Sequence, residues 1–193
     1  MIVIIKTYFL KHGLWLVFVG ALIEGTLLLG QYFPGGFVIF IGVASAGSIP
    51  RAIAVVTVVS IAFVIAYSIN YAMGKFGWYR LLLRLGFRQS LEHAQHKVQR
   101  HQLNAILSSY WEPNLASLTA TAVGILQFPY QKFLWHSLMS IVIWNTAWGV
   151  VVYTVGQKIF EYFTFSFGFV VFGIWIAILV LKYYLYDRRR QLE

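Results

Sequence analysis

Three long apolar runs without a charged side chain constrain the fold of this chain more than any other feature. They occupy residues 52–74, 133–157 and 162–181, and a fourth run, residues 13–33, is as long but contains Glu24 near its middle. About 20 apolar residues suffice for a helix to cross the hydrocarbon core of a bilayer. With their flanks, the four runs predict transmembrane helices at residues 13–33, 52–77, 130–158 and 162–186.

The composition is typical of a membrane protein and excludes several other classes. Apolar residues make up 60% of the 193 residues and charged residues only 11%, against about 25% charged in a typical soluble domain. The formal charge of +9 does not indicate nucleic acid as a partner, because the basic residues are distributed between apolar runs. The chain has no cysteine, which excludes disulfides and thiolate metal sites. We expect a single membrane domain without a cofactor.

Two further apolar segments are too short or too polar to cross. Residues 34–50 (hairpin segment 1) are framed by prolines, and residues 104–129 (hairpin segment 2) contain Glu112 and Pro113. Broken, polar segments at membrane depth are tolerated only inside protein or beside a wet cavity. Both segments are therefore predicted to be re-entrant helical hairpins. The residues expected to shape them are Pro34, Gly35, Gly36, Pro113 and Gly124.

Basic residues predict the orientation. If residues 1–12, the residues from Lys75 to Lys132 and the residues from Lys182 onwards are cytoplasmic, 13 of the 15 basic residues lie inside and only Arg51 and Lys158 lie outside. This satisfies the positive-inside rule, so both termini are expected in the cytoplasm. The small size and the lack of long loops suggest a prokaryote, so the expected location is a plasma (inner) membrane. The polar residues 78–103 predict a cytoplasmic amphipathic helix on the membrane surface. Anionic headgroups are expected near Arg80, Arg84 and Arg88, and near Arg188, Arg189 and Arg190 of the basic tail, residues 187–193.

Each hairpin segment precedes an apolar span that ends in a similar way. Tyr71 follows Pro34 by 37 residues, Tyr153 follows Pro113 by 40, and a glycine stands three residues after each tyrosine. By the charge argument the two units face opposite ways, which is the inverted-repeat plan of many secondary transporters. The predicted fold is an all-α integral membrane protein with four transmembrane helices and two re-entrant hairpins in an inverted repeat.

These features resemble the DedA family, also called the VTT or SNARE-associated group, over nearly the whole chain. Part of the resemblance is carried by Glu24, by Pro34-Gly35-Gly36 and by residues 70–77. Its clearest part comprises Tyr110, Trp111, Glu112, Pro113, Gly124, Phe133, Trp144, Asn145, Tyr153 and Gly156. The resemblance implies a transporter of phospholipids or polyprenyl phosphates, acting as a scramblase or a proton-linked flippase.

The chain departs from the family pattern at charged positions. Family members generally carry arginine where Tyr110 and Ala116 stand, an acidic residue at Gly36 and an aspartate near Tyr67. Arginines at the positions of Tyr110 and Ala116 would hold a lipid phosphate through bidentate hydrogen bonds. Their absence favours a second hypothesis, a membrane scaffold or assembly factor that keeps the fold without transport. A transporter of small solutes with a closed cavity is a further alternative.

Two carboxyl groups are the candidate substrate and proton-coupling groups. Glu24, at the middle of a span, either couples protons to transport or ties the first span to a hairpin by hydrogen bonds. Glu112 either receives protons, pairs with a basic group or touches interfacial water. The remaining candidates are Asn114, Ser117, Thr119, Thr121 and Asn145. These either line a groove for a headgroup or let helices approach closely while bonding their own backbone.

Neither a metal site nor an active site is predicted. His93, His96 and His101 have no carboxylate pair or cysteine nearby to complete a metal site, so we expect them on a solvated face. The chain has no Gly-x-Ser-x-Gly turn with a Ser-His-Asp set, no HExxH and no P-loop, and we do not expect an enzyme. The expected partners are membrane lipids, and a homo-oligomer is compatible with the sequence.

Overall fold

The structure of the protein is a computed structural model that describes residues 2–30, 36–84, 86, 88–102 and 104–156. Every regular element in those ranges is helical, as the predicted all-α class requires. The helices are α1 (Ile2–Gly25), α2 (Leu27–Gly30), α3 (Phe37–Ala44), α4 (Ile49–Lys75), α5 (Tyr79–Arg84), α6 (Arg88–His101), α7 (Asn104–Ser109), α8 (Pro113–Ile125) and α9 (Tyr130–Val151). A π-helical turn, Val152–Gly156, continues α9. Pro34, Gly35, the span predicted at residues 162–186 and the basic tail lie outside the described residues.

Two helices in the described part of the chain are long and apolar enough to cross a membrane. They are α4, with 27 residues, and α9 with its extension, Tyr130–Val155, with 26. At about 1.5 Å of rise per residue each measures about 40 Å, more than the roughly 30 Å of a hydrocarbon core. A shorter apolar stretch, Gly13–Gly25, forms the second half of α1. Helix α4 lies at the centre of the described part of the protein, because α1, α3, α8 and α9 all pack against it.

Helix α1 ends at Gly25, within the run for which the sequence predicts a single span over residues 13–33. The cause is Asn70, a fully buried side chain of α4. Its Nδ2 donates to the carbonyl of Gly25 at 2.8 Å, and its Oδ1 accepts from the amide of Leu27 at 3.1 Å. One side-chain amide thus satisfies the backbone groups that the break would leave unpaired. The short helix α2 follows directly.

Helix α8 crosses α4 with backbone against backbone. A Cβ atom added to Gly74 of α4 would overlap the carbonyl oxygen of Thr121, and one added to Gly124 of α8 would overlap the carbonyl oxygen of Tyr71. Such close approach requires residues without a side chain at the crossing point. The hydroxyl of Tyr71 also donates to the carbonyl of Phe128 at 2.5 Å. These contacts fix the C-terminal end of α8 against α4.

The polar segment, residues 78–103, forms two helices and not the single helix predicted. Between α5 and α6 lies Gly86 with φ = +88°, a left-handed conformation that glycine adopts without steric cost. Helix α6 packs on α7 and α8 through Leu91, Ala94 and Val98, which are buried. Its opposite face carries exposed charged and polar residues, namely Arg88, Glu92, His93, His96, Arg100 and His101.

Candidate functional site

A cavity of about 380 Å³ lies where the first turns of α3 and α8 meet α9. Its described lining residues are Gly36, Phe37, Ile39, Phe40, Phe63, Tyr110, Trp111, Glu112, Pro113, Asn145, Trp148 and Val152. Three of the aromatic side chains, those of Phe37, Trp111 and Trp148, are exposed. The cavity therefore opens to the surface of the described part of the protein. Its volume is within the range of about 300–1,000 Å³ that is usual for small-molecule sites.

The carboxyl group of Glu24 lies at the N-terminal end of α3. Its side chain is fully buried, and its carboxyl group accepts hydrogen bonds from the amides of Gly36, Phe37 (3.1 Å) and Val38 (3.2 Å). The first amides of a helix have no partner within the helix, and an acidic group suits the positive end of the helix dipole. Gly36 has φ = +80°, which lets the chain turn its amide towards Glu24. The geometry shows the tie between α1 and hairpin segment 1; the proton-coupling role stays a prediction.

Glu112 caps α8 in a corresponding way. Its carboxyl oxygens accept from the amides of Asn114 at 3.0 Å and Leu115 at 2.8 Å. Pro113 occupies the first helical position, where its missing N–H costs nothing because that amide would have no helical partner. Glu112 is half-buried and lines the cavity. Among the described residues no salt bridge reaches Glu112 or Glu24.

Two buried tyrosines, Tyr67 of α4 and Tyr110, lie next to each other beside the cavity that Tyr110 lines. Tyr67 is buried and packs edge to face against Tyr110, with ring centroids 4.8 Å apart. The hydroxyl of Tyr110 shares a hydrogen bond of 2.8 Å with Ser137 of α9. These contacts hold the ring of Tyr110 in place in the cavity wall. The described residues that line the cavity include no lysine, arginine or histidine.

Asn145 forms part of the cavity wall on α9. Its side chain is buried, and its Nδ2 donates to the hydroxyl of Ser60 on α4 at 3.0 Å. The hydroxyl of Ser60 donates in turn to the carbonyl of Val56 at 2.7 Å. The bond to Ser60 uses one N–H of the Asn145 amide and leaves its second N–H and its oxygen, a donor and an acceptor, on this wall.

The polar residues predicted in α8 lie away from the described cavity lining. The hydroxyls of Ser117 and Thr121 donate to carbonyls of their own helix, at 2.8 and 2.9 Å, and Thr119 is buried. The two hydroxyl bonds fit the alternative in which these residues bond their own backbone, and the headgroup-binding role stays a prediction. Asn114 differs, because its Oδ1 is buried and has no hydrogen-bond partner among the described residues.

The structure adds residues that the sequence analysis did not single out as site residues. Trp148 donates from its indole Nε1 to the carbonyl of Trp111 at 3.0 Å, which fixes one aromatic wall of the cavity. Trp144, one turn earlier, donates to the carbonyl of Leu107 at 2.8 Å. The spacing of four between the two tryptophans places them on one face of α9, and this was a signal available in the sequence. No local signal shows that Asn70 interrupts α1.

Comparison with known proteins gives one family match. A family model described as VTT domain matches residues 33–154. These residues include helices α3 to α9, Glu112 and the described lining of the cavity, whereas Glu24 precedes them. No curated protein and no solved structure matches the chain.

Proposed function

The chain belongs to the VTT domain family, the domain of the DedA membrane proteins, and from this premise we propose that it transports a membrane lipid. The proposed activity is that of a flippase or scramblase for a phospholipid or a polyprenyl phosphate, linked to protons. The single observation that carries this proposal is the open cavity between the capped N-terminal ends of α3 and α8. A headgroup held there keeps its acyl chains outside the protein, beside exposed apolar side chains.

The proposed membrane arrangement follows the sequence analysis. The chain crosses a plasma membrane four times with both termini in the cytoplasm, and the two hairpin segments enter from opposite faces without crossing. Their facing helix ends shorten the apolar path that a headgroup must cross, because the cavity replaces lipid with polar groups over part of it. Glu24 and Glu112 are the titratable groups on that path. The exposed Arg80, Arg84 and Arg88 contact anionic headgroups in this arrangement.

The test is transbilayer movement of phospholipids labelled on an acyl chain, in vesicles that contain the purified protein, at two pH values. We expect movement that depends on pH and slows at least tenfold in Glu24→Gln, a change of roughly 1.4 kcal/mol in the barrier. The matched control is Glu92→Gln, because Glu92 is exposed on α6 and pairs only with Arg88 at 3.8 Å. Both variants are first shown to be folded by gel filtration and circular dichroism. Wild-type protein that moves lipid no faster than empty vesicles contradicts the proposal.

A second function is favoured by a different observation. Tyr110 and Ala116, which stand where the resemblance places arginines, are buried and uncharged. A chain that lost its phosphate-binding charges but kept the fold would act as a membrane scaffold or assembly factor. This hypothesis expects a folded protein without lipid movement and a Glu24→Gln variant that functions like the wild type.

A further inference from the structure

The walls of the cavity do not suit an anion. Phosphate sites in proteins use arginine or lysine side chains or the free amides at a helix N-terminus. The described lining residues include no basic side chain. The amides that begin α3 are taken by Glu24, and those that begin α8 are taken by Glu112. The amides of Gly36, Phe37 and Val38 in α3 and of Asn114 and Leu115 in α8 are therefore not free to bind a phosphate.

The same walls suit a cation. Six of the twelve described lining residues are aromatic, namely Phe37, Phe40, Phe63, Tyr110, Trp111 and Trp148. Aromatic faces attract organic cations, and several faces around one space are the usual receptor for ammonium groups. The hydrogen bond from Trp148 to the carbonyl of Trp111 holds one indole in place before any ligand binds, which lowers the entropic cost of binding.

A negative charge completes the arrangement. Each carboxyl oxygen of Glu112 accepts one amide hydrogen bond, but an ionised carboxylate has about four acceptor sites. The remaining sites are available to a donor in the cavity that Glu112 lines. The oxygen of Asn145 provides a further acceptor on the wall of α9.

From these features we infer that the cavity binds the ammonium group of a zwitterionic phospholipid headgroup, phosphocholine or phosphoethanolamine, between the aromatic side chains and Glu112. This inference rests on the proposed function, because it names the substrate class that the site selects. It favours phospholipids that carry an amine over polyprenyl phosphates and over anionic phospholipids. The phosphate of such a headgroup remains towards the open side of the cavity, away from Glu112.

Binding is tested with soluble headgroups and the full-length protein in nanodiscs of phosphatidylglycerol. The probes are glycerophosphocholine, glycerophosphoglycerol, inorganic phosphate and choline chloride, and the readout is tryptophan fluorescence, because Trp111 and Trp148 line the cavity. We expect saturable binding of glycerophosphocholine at least about tenfold tighter than that of glycerophosphoglycerol or phosphate. Tighter binding of phosphate or glycerophosphoglycerol overturns the inference. Choline that binds better than glycerophosphocholine identifies a free amine as the ligand and overturns the lipid source.

Variants separate the proposed binding groups from the fold. Glu112→Gln keeps an acceptor oxygen for the start of α8 but removes the charge, so it should weaken glycerophosphocholine binding about tenfold. Glu112→Asp keeps both the charge and the cap, so it should bind glycerophosphocholine like the wild type. Trp148→Leu should weaken binding to a similar extent. Trp144→Leu is the matched control, because Trp144 makes the same type of indole hydrogen bond on the same helix but is not among the described lining residues. Equal losses in Trp144→Leu and Trp148→Leu contradict the site.

Lipid movement is measured separately, with acyl-labelled phosphatidylcholine and phosphatidylglycerol in vesicles. Preferred movement of phosphatidylcholine, lost in Glu112→Gln, supports both the transport activity and the headgroup selectivity. Glycerophosphocholine binding without any lipid movement supports the site and contradicts the transport proposal. Equal movement of both lipids, without glycerophosphocholine binding, supports transport and overturns the inference.

Discussion

Replacing Gly124 by alanine tests whether α8 and α4 touch backbone to backbone. The added methyl group would overlap the carbonyl oxygen of Tyr71 and lie 3.0 Å from the amide nitrogen of Lys75. Both atoms belong to the main chain of α4, so no side-chain rotation relieves the overlap. The two helices must move apart, and the packing on both sides of the crossing loosens with them.

The expected loss follows from two opposing effects. Overpacking a tight interior usually costs about 1–3 kcal/mol, and alanine regains about 1 kcal/mol of helix propensity over glycine. Because the clash involves backbone, we take the upper end of the first range and expect a net loss of about 2 kcal/mol. Gly74→Ala should cost about as much, since its methyl group meets the carbonyl of Thr121 at the same crossing. The double variant should cost less than the sum, because helices already separated by one methyl group accommodate the second.

The assay is the free energy of unfolding in mixed micelles with increasing dodecyl sulfate, followed by circular dichroism. Gly20→Ala on α1 is the matched control, because its methyl group would lie 3.2 Å from a side-chain carbon of Val38, a contact that a shift of a few tenths of an ångström relieves. We expect that variant to stay within about 1 kcal/mol of the wild type. A Gly124→Ala protein as stable as the wild type, or a double variant that loses the full sum, would refute the contact between the two backbones.

Three further predictions concern buried polar contacts, each measured by the same unfolding assay. Asn70→Ala leaves the carbonyl of Gly25 and the amide of Leu27 unpaired and should cost about 2–4 kcal/mol; a loss below about 1 kcal/mol contradicts the role of Asn70. Glu24→Ala should destabilise the protein more than Glu24→Gln, because glutamine keeps one oxygen for the amides that begin α3; equal losses exclude this. Tyr110→Phe should lower the free energy of unfolding by about 1 kcal/mol. The double variant with Ser137→Ala should lose no more than that, whereas additive losses would show that the two hydroxyls act separately.

Much of the architecture follows from patterns that are local in sequence. The apolar run that predicts a span over residues 52–77 corresponds to α4, Ile49–Lys75. The proline that predicts a break in hairpin segment 2 stands at the first position of α8. The resemblance to DedA proteins is confirmed by the family match, and the all-α class is confirmed for the described residues. The four crossings, the inverted repeat and the orientation stay predictions.

Where the structure differs from the prediction, the cause is either a contact between residues distant in sequence or a glycine inside a predicted helix. The end of α1 at Gly25 depends on Asn70, 45 residues further along the chain, and no apolar pattern reports such a contact. The division of residues 78–103 follows from Gly86 in a left-handed conformation, and a glycine inside a predicted helix is a signal that favours a break.

The candidate site was predicted only in part. Glu24 and Glu112 stand out in the sequence as acidic groups in apolar surroundings, and Glu24 makes the hydrogen-bonded tie that was one of its predicted roles. The aromatic character of the cavity was not anticipated, because Phe37, Trp111 and Trp148 come from three separate helices or turns. In a chain with 18% aromatic residues, composition alone does not show which of them share a space.

The contact of Asn70 with the break in α1 has a consequence for the biogenesis of the protein. During synthesis the break emerges from the ribosome well before Asn70, which follows Gly25 by 45 residues and Leu27 by 43. Until α4 is made, no residue of that helix can pair with the backbone groups at the break, and unpaired groups are costly in lipid. If the first helix lies in the membrane as proposed, it has to stay continuous past Gly25 until α4 is made, or keep this region in contact with water or the insertion machinery. The contacts of Asn70 with Gly25 and Leu27 can form only after that point.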